Sequence, residues 1–240
     1  MKTARIFLNG YYDLRNIDFY RLEIDTGIDN GDLTLCADGG LRIFDELNKM
    51  EGNNFIPDIL IGDLDSVNGT TTKTKQVVEQ WVGQTDKDYT DGQLAVKYAI
   101  EKYNCQCILL YGGLPRPEEY ETDHFLGNLK LLRFGHYLHR DTGIIYIAEM
   151  RDPQQTIHYL LSSLRIYRKD SGVQRVSLIA EEVNVMVENS QNLRWDLTSL
   201  NISPDLTNAL RNEFVKGADW VEIQLMKDSP PVYVIHNWYT

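Results

Sequence analysis

The sequence is poor in cysteine and lacks any long apolar run. Its three cysteines supply no disulfide framework, and we interpret Cys105 and Cys107, two apart in a predicted strand, as packing thiols. No apolar run approaches the ~18 residues that indicate a membrane-spanning helix, and the N-terminus lacks the cleavage site of a signal peptide. These absences predict a protein of the reducing cytoplasm, without a membrane partner.

Positive charge is also scarce. The chain has 24 Lys and Arg against 35 Asp and Glu, a net charge of −11. A protein that binds a nucleic-acid backbone needs positive charge to displace counterions, so we expect no nucleic-acid partner. The acidity suits a metal ion or a cationic ligand, although surface solubility alone would also explain it.

The common nucleotide-binding and hydrolase motifs are missing. The sequence contains neither the P-loop pattern G-x-x-x-x-G-K-[ST] nor G-x-G-x-x-G, and it lacks the kinase signatures HRD and DFG. It also has no G-x-S-x-G nucleophile elbow. His136 and His139 in GHYLHRD have near-ligand spacing, but this pair alone does not make a metal site, and we do not predict one there.

The first 150 residues alternate between strand-like and helix-like patterns. Strands are predicted at 4–9, 33–37, 57–62, 107–111 and 143–148, and helices at 41–50, 72–82, 91–103 and 123–134. Strands and helices in alternation imply βαβ units with a mostly parallel sheet covered on both faces. We therefore predict an α/β domain over residues 1–150.

The pattern changes in residues 151–240. A stretch at 154–167 is compatible with a helix or with strands, and the periodicity does not decide between them. Strand-like runs follow at 176–180, 183–187, 219–225 and 232–236, with no helical pattern between them. Consecutive strands separated by turn-like spacers predict a small antiparallel β domain.

Aspartates follow the predicted strands of the first domain or open its helices. Open parallel sheets bind ligands at the carboxyl ends of their strands, so the position of these side chains points to a site. Four clusters are present: CADGG with Asp38, GDLDS with Asp63 and Asp65, TDKDYTD with Asp86, Asp88 and Asp91, and ETDH with Asp123 and His124.

These aspartates have two interpretations. Asp is common in turns and at helix N-termini, so Asp91 or Asp123 alone could simply cap a helix. Carboxylates that converge on one crevice repel each other, however, by about 4 kcal/mol for a pair at ~4 Å and an effective dielectric near 20. A cation between them relieves that repulsion, and oxygen ligands favour Mg²⁺, which commonly also holds substrate phosphates.

The chain resembles the thiamine pyrophosphokinase family along nearly its whole length. The matching segments are LNG (8–10), CADGG (36–40), PDILIGDLDS (57–66), TDKDYTD (85–91), YGG (111–113) with DHFLGN (123–128), VSLIA (176–180), LRWDL (193–197) and NEF (212–214). GDLDS followed by KD-x-TD is a specific combination. LRWDL and NEF separate this family from other pyrophosphokinases that share only the aspartate-rich half.

The resemblance implies an α/β nucleotide domain followed by a β-sandwich-like domain. It implies a homodimer that binds thiamine near its interface and transfers pyrophosphate from ATP to the thiamine hydroxyl, giving thiamine diphosphate and AMP. By motif, Mg²⁺ and the ATP phosphates would be held by Asp38, Asp63, Asp65 and Asp91. The substrate-side residues would be Trp195, stacked on the thiamine pyrimidine, and Asn212.

Further residues of the site follow from the same motifs. Those matched to the nucleotide side are Asn9, Gly10, Asp38, Gly39, Gly112 and Gly113, and those with a catalytic role are Asp65, Asp91 and Asp123. Asp123 would orient the thiamine hydroxyl or accept its proton. Lys87 could contact a phosphate or be an ordinary solvated lysine, and Trp195 could instead be a core residue.

One loop departs from the family. Where family members show Gly-Gly-x-Gly-Gly-Arg-x-Asp, this chain keeps Gly112, Gly113 and Asp123 but has Glu121 in the place of the arginine, for which Arg116 could substitute. Arg211 also replaces the serine before NEF. Two other functions stay open: a pyrophosphokinase for another heteroaromatic alcohol of the pterin type, and a thiamine-binding protein without catalysis.

Overall fold

The computed structural model of the chain describes residues 1–50, 52–62, 79–81, 88–139 and 146–239, with only the backbone at 79–81 and 139. These residues form two units, Met1–Pro153 and Gln154–Thr240. Within the described ranges, no helix combines the length and the hydropathy needed to cross a membrane.

The first unit is built around a parallel sheet. Its strands are β1 (Thr3–Phe7), β2 (Leu33–Ala37), β3 (Ile59–Ile61), β4 (Glu79–Trp81), β5 (Cys107–Tyr111) and β6 (Ile147–Asp152). They lie in the order β6-β5-β1-β2-β3-β4, and every pair of neighbours is parallel. All five residues of β5 are buried, which is typical of a strand covered on both faces.

Four α-helices are described in this unit: α1 (Ile17–Asn30), α2 (Arg42–Asn48), α3 (Asp91–Glu101) and α4 (Thr122–His139). The end of α1 is set by Gly31, whose φ of 69° continues the chain in the left-handed region. The start of α3 is a capping box, in which the Thr90 side chain accepts from the Gln93 N–H and the Gln93 side chain accepts from the Thr90 N–H.

Aromatic and charged side chains share the interior of the first unit. The ring of Phe7 stacks on Tyr111 with 4.7 Å between centroids and meets Phe44 edge-on at 5.0 Å. On the same sheet, the guanidinium of Arg5 is 4% exposed and pairs with Glu23 at 2.5 Å and Asp32 at 2.9 Å. A buried charge with two carboxylate partners ties β1 to α1 and to the turn that follows it.

The second unit contains two antiparallel sheets. Its strands are β7 (Gln155–Leu160), β8 (Ser163–Tyr167), β9 (Val173–Ile179), β10 (Val185–Gln191), β11 (Asn201–Ile202), β12 (Asn212–Glu213), β13 (Trp220–Leu225) and β14 (Val232–Tyr239). One sheet has the order β12-β9-β14-β7 and the other β11-β10-β13-β8. A single apolar cluster draws buried residues from both sheets, including Val176, Val187, Ile223 and Val234.

The predicted α/β class, with a mostly parallel sheet and additional antiparallel strands, is confirmed. Strands β2 and β5 have the predicted bounds, and the undecided stretch at 154–167 contains β7 and β8 instead of a helix. The helix predicted at 72–82 is wrong for Glu79–Trp81, which forms β4; the other residues of that range lie outside the described ones. Pairing with β3 overrides the local helix pattern there.

Helix α1 is the largest element that the sequence analysis did not predict. Asp, Thr, Gly and Asn are weak helix formers, and they obscure the pattern in this segment. The buried residues Tyr20, Ile24 and Gly27 nevertheless have the spacing of a helix face, and this signal could have identified it.

Candidate functional site

A pocket of about 420 Å³ lies in the first unit. Its walls come from the segments after β1, β2 and β5 and from the starts of α3 and α4: Leu8, Asn9, Gly10, Ala37, Asp38, Thr90, Asp91, Gly92, Gln93, Leu114, Arg116, Glu121, Asp123, His124, Gly127, Asn128 and Lys130. The carboxyl ends of parallel strands meet at one edge of a sheet, which explains why separate segments converge here.

Asp38 is the most constrained side chain of the pocket. It follows β2 directly, is 8% exposed and has a φ of 46°, a left-handed conformation that few residues other than glycine adopt. Its Oδ2 accepts a hydrogen bond of 2.9 Å from Asn9 Nδ2. Its Oδ1 is buried and has no hydrogen-bond partner among the described residues, an arrangement that suits a ligand of a cation.

Asn9 connects Asp38 to two guanidinium groups. Its Oδ1 accepts from Arg42 Nη2 at 2.5 Å and from Arg116 Nη2 at 3.2 Å. A Cβ on Gly39 would overlap the Asn9 amide, so the glycine at this position lets the amide approach the backbone. Gly39 therefore lies beside the pocket without forming its wall.

Asp91 lies close to Asp38 across Gly62. A Cβ placed on Gly62 would be 3.3 Å from Asp38 Cβ and 3.3 Å from Asp91 Oδ2, so the two acidic side chains flank one point. Thr90, not Asp91, caps α3, which removes the simplest structural explanation for Asp91. The structure thus brings together two of the four predicted metal residues.

Asp63, Asp65 and Lys87 lie outside the described residues, as does Asp86. Asp63 directly follows Gly62 in the chain. In the ranges that the structure describes, no three His, Cys, Asp or Glu side chains group closely enough to hold a metal ion. The metal assignment of Asp63 and Asp65 therefore stays a prediction.

Asp123 lines the pocket in the first turn of α4. Its side chain is 85% exposed, and its Oδ1 accepts a 2.9 Å hydrogen bond from the His124 N–H. This hydrogen bond lowers the pKa of Asp123 below its usual value. A carboxylate with a lowered pKa is a weak base but a good hydrogen-bond acceptor for a hydroxyl.

The predicted glycines have different positions. Gly10 lines the pocket, and a Cβ there would approach the Leu114 carbonyl oxygen to 2.7 Å. Gly112 has a φ of 66° and packs on the Tyr12 ring, while a Cβ on Gly113 would lie 2.5 Å from Met150 Sδ. Gly112 and Gly113 are therefore required by close packing behind the pocket and do not form its wall.

Arg116 extends from the altered loop into the pocket. Its Nη1 donates to both carboxylate oxygens of Glu119, at 2.7 and 2.8 Å, and its Nη2 donates to the Asn9 carbonyl at 3.0 Å. The loop is closed by Glu121, which accepts from the Arg116 N–H at 3.0 Å. Arg42 contacts the same asparagine, but the sequence analysis missed it because no motif marks an arginine in α2.

In the second unit, the predicted substrate residues Trp195 and Asn212 are in direct contact. Asn212 is 3% exposed; its Nδ2 donates to the Trp195 carbonyl at 2.7 Å, and its Oδ1 accepts from the Trp195 N–H at 3.1 Å. Trp195 itself is 52% exposed, so it is not a core tryptophan. The Arg194 guanidinium lies 4.6 Å from the centroid of the indole.

Fold and pocket together define an α/β protein with a pocket at the carboxyl edge of a parallel sheet, the place where open parallel sheets commonly bind ligands. A sequence profile described as thiamin pyrophosphokinase, catalytic domain, matches residues 24–144, which is half of the chain. The chain belongs to the thiamin pyrophosphokinase family of enzymes. No curated protein matches it in a sequence search.

Solved structures share the fold over the length of the chain. The thiamine pyrophosphokinase of Bacillus subtilis has a TM-score of 0.72 at 20% identity, with 100% of both chains covered. The thiamin pyrophosphokinase of Geobacillus thermodenitrificans has a TM-score of 0.70 at 20% identity, covering 99% of this chain and 98% of its own. The yeast enzyme has a TM-score of 0.71 at 15% identity, covering 99% and 86%. At these levels of sequence identity, the comparison with solved structures shows that the chain shares their fold.

Proposed function

We propose that the protein is a magnesium-dependent thiamine pyrophosphokinase that converts thiamine and ATP into thiamine diphosphate and AMP. The observation that carries this proposal is the buried Oδ1 of Asp38, which has no partner within the described ranges and lies close to Asp91 in a pocket of the family's catalytic domain. A cation suits such a pair of carboxylates, because it relieves their mutual repulsion.

The residues present fit Mg²⁺. Asp38 and Asp91 would hold the ion together with Asp63 and Asp65, all through carboxylate oxygens, the ligand type that Mg²⁺ prefers. When bound, the ion would neutralise charge on the ATP phosphates. Asn9 and Gly10 would border the nucleotide, with Gly39, Gly112 and Gly113 keeping the surrounding backbone closely packed.

In the reaction, the thiamine hydroxyl oxygen forms a bond to the β-phosphorus of ATP while the bond from this phosphorus to the oxygen that leaves with AMP breaks. Asp123 would accept a hydrogen bond from the hydroxyl and orient it, and its carboxylate or water would take up the proton. Arg116 and Lys87 would contact phosphate oxygens. Asp65 and Asp91 would hold the Mg²⁺ that supplies positive charge to the phosphates and helps to keep them in line.

Thiamine carries a fixed positive charge on an aromatic ring system, which suits an acidic protein with an exposed indole. Trp195 would stack on the pyrimidine, and Asn212 would hold the backbone that carries Trp195. In this proposal residues 1–150 bind ATP and Mg²⁺, residues 151–240 bind thiamine, and two chains form a homodimer with thiamine near the interface. We place this activity in the cytoplasm and infer neither a nucleic-acid nor a membrane partner.

The test is AMP release by the full chain with ATP, MgCl₂ and thiamine. We expect AMP and thiamine diphosphate in equal amounts, and no turnover when EDTA replaces MgCl₂. Turnover with a hydroxymethylpterin in place of thiamine would favour the pterin-type function. Thiamine binding in calorimetry without AMP release would contradict catalysis.

A further inference from the structure

Two arginines converge on one oxygen of Asn9. Arg42, at the first position of α2, and Arg116, from the loop after β5, both donate through Nη2 to Asn9 Oδ1. The Arg42 side chain is exposed and does not line the pocket, and its Nε donates to the Gly39 carbonyl at 3.2 Å. The Arg42 guanidinium is therefore fixed by two acceptors, the Gly39 carbonyl and Asn9 Oδ1, and it does not reach the pocket itself.

These contacts determine which way the Asn9 amide faces. If the amide were reversed, its NH₂ group would face two guanidinium donors and its oxygen would face the Asp38 carboxylate. Donor would meet donor and acceptor would meet acceptor, so the reversed arrangement is strongly unfavourable. In the observed orientation the amide matches all three neighbours: Oδ1 accepts from both guanidinium groups, and Nδ2 donates to Asp38 Oδ2.

The orientation of Asn9 in turn distinguishes the two oxygens of Asp38. Oδ2 is capped by the amide, while the buried Oδ1 receives no hydrogen bond from any described residue. The left-handed backbone of Asp38 adds a second constraint on the carboxylate. Asp38 thus has one oxygen, Oδ1, that is held in a fixed direction and is available to a ligand.

We propose that Arg42 is a positioning residue, which fixes the Asn9 amide so that Asp38 offers Oδ1 to a divalent cation. The presence of a cation at Asp38 rests on the proposed function. The positioning of Asn9 rests only on the contacts of these side chains. Residues that do not touch the metal commonly act in this way, by orienting the carboxylate that does.

Charge alone would produce the opposite effect. Arg42 is a cation, and removing it lowers the positive potential near the pocket, which should strengthen the binding of another cation. Positioning predicts the reverse, because an Asn9 amide that keeps only the longer hydrogen bond from Arg116 holds Asp38 less firmly. The sign of the change in metal affinity therefore separates the two explanations.

The experiment measures the affinity of the full chain for Mn²⁺ alone, by electron paramagnetic resonance without nucleotide. We expect Arg42→Met to weaken Mn²⁺ binding by roughly tenfold, a typical loss for a residue behind a metal ligand. Arg42→Lys, which keeps the charge and one donor, should recover part of the affinity. Arg21→Met is the matched control, since Arg21 is 45% exposed and pairs with Asp18 on α1; it should leave Mn²⁺ affinity unchanged.

A double-substitution cycle tests whether Arg42 acts through Asn9. In an Asn9→Ala background, Arg42→Met should have no further weakening effect on Mn²⁺ binding. An equal weakening in both backgrounds, or tighter binding of Mn²⁺ by Arg42→Met, would overturn the positioning role.

Hydrogen exchange of the Asn9 side-chain amide, followed by NMR without metal, separates this inference from the proposed function. We expect slow exchange in the parent and faster exchange in Arg42→Met. Unchanged exchange would overturn the positioning role alone. Failure of the parent to bind Mn²⁺ would instead overturn the cation role of Asp38, and with it the proposed magnesium dependence.

Discussion

The side-chain amide of Asn212 bonds to both polar backbone groups of Trp195, at 2.7 Å to its carbonyl oxygen and 3.1 Å to its N–H. Asn212 is buried, whereas half of Trp195 is exposed, so the asparagine anchors the segment and the indole remains available. The two residues lie 17 positions apart in the chain, in LRWDL and NEF. Their contact gives a structural reason for both motifs to occur together.

Trp195→Ala is expected to raise the KM for thiamine by roughly tenfold and to leave the KM for ATP nearly unchanged, because stacking on an aromatic ring is lost. Steady-state kinetics with each substrate varied in turn measures this. Trp220→Ala serves as the control, since Trp220 is a partly buried tryptophan that packs on Arg165. An unchanged thiamine KM in Trp195→Ala would remove this residue from the site.

Asn212→Ala should also raise the KM for thiamine, as Trp195→Ala does. The Trp195 backbone then loses two hydrogen bonds, and the indole is held less firmly. In the double variant the effects should be less than additive, because both residues act on one contact. Kinetics of the single and double variants provide the measurement, and fully additive effects would show that Asn212 has a separate role.

Asp65→Asn and Asp38→Asn are each expected to reduce kcat by at least about a hundredfold, since each would remove a charged ligand of the proposed metal ion while preserving side-chain shape. Circular dichroism should show an intact fold. The control is Asp18→Asn, which removes one exposed charge from α1. Near-normal turnover of Asp65→Asn would refute its metal role.

Arg5→Met is expected to lower the free energy of unfolding by roughly 3–5 kcal/mol, because the partly buried Asp32 would lose its ion pair and Glu23 would keep only Arg151 and the Tyr111 hydroxyl as partners among the described residues. Denaturant titration at neutral pH measures the loss. Arg15→Met is the control: the Arg15 side chain is 85% exposed, so its removal should cost no more than about 0.5 kcal/mol. A small loss in Arg5→Met would show that the buried network contributes little to stability.

Asp152 makes stability depend on pH. Burial raises the pKa of Asp152 from 3.8 to about 7, so the folded chain keeps a proton that the unfolded chain releases above pH 4. Its contribution to the free energy of unfolding therefore falls as the pH rises from about 4 to about 7. Asp152→Asn should remove this decrease and be more stable than the parent at pH 8 by up to roughly 4 kcal/mol.

The measurement for Asp152 is a series of denaturant titrations between pH 4 and pH 8. At pH 4 the parent and Asp152→Asn should have similar stability, because the carboxyl group is protonated in the folded chain and pH 4 lies only just above 3.8, where the unfolded chain begins to lose this proton in the majority of molecules. Asp18→Asn controls for the loss of one negative charge. A constant difference between the parent and Asp152→Asn over the whole range would contradict the burial effect.

Much of the first unit could be predicted because each parallel strand is a short apolar run that ends at a polar loop. That pattern located β2 and β5 at their observed bounds, and it located Asp38 at the end of β2. The pattern failed at Glu79–Trp81, where a three-residue strand is too short for any periodicity. It also failed at α1, where weak helix formers are stabilised by packing on the sheet.

The site was predictable in its residue types but not in its connections. Motifs named Asn9, Asp38 and Asp91, and the structure brings these three into one pocket. Nothing in the sequence links Asn9 to Arg42, since the two residues lie 33 positions apart and meet only because β1 and β2 are neighbours in the sheet. Arg42 could therefore be found only by its contact.

The sequence alone determined the alternation of strands and helices in much of the first unit, the acidic character of the loops and the family to which the chain belongs, because these depend on composition and local spacing. Tertiary structure alone decided which loops meet, that Gly112 and Gly113 pack behind the pocket, and that one oxygen of Asp38 is capped while the other is buried without a partner among the described residues. Distances between side chains depend on packing across the whole sheet, and local sequence does not encode packing of that range.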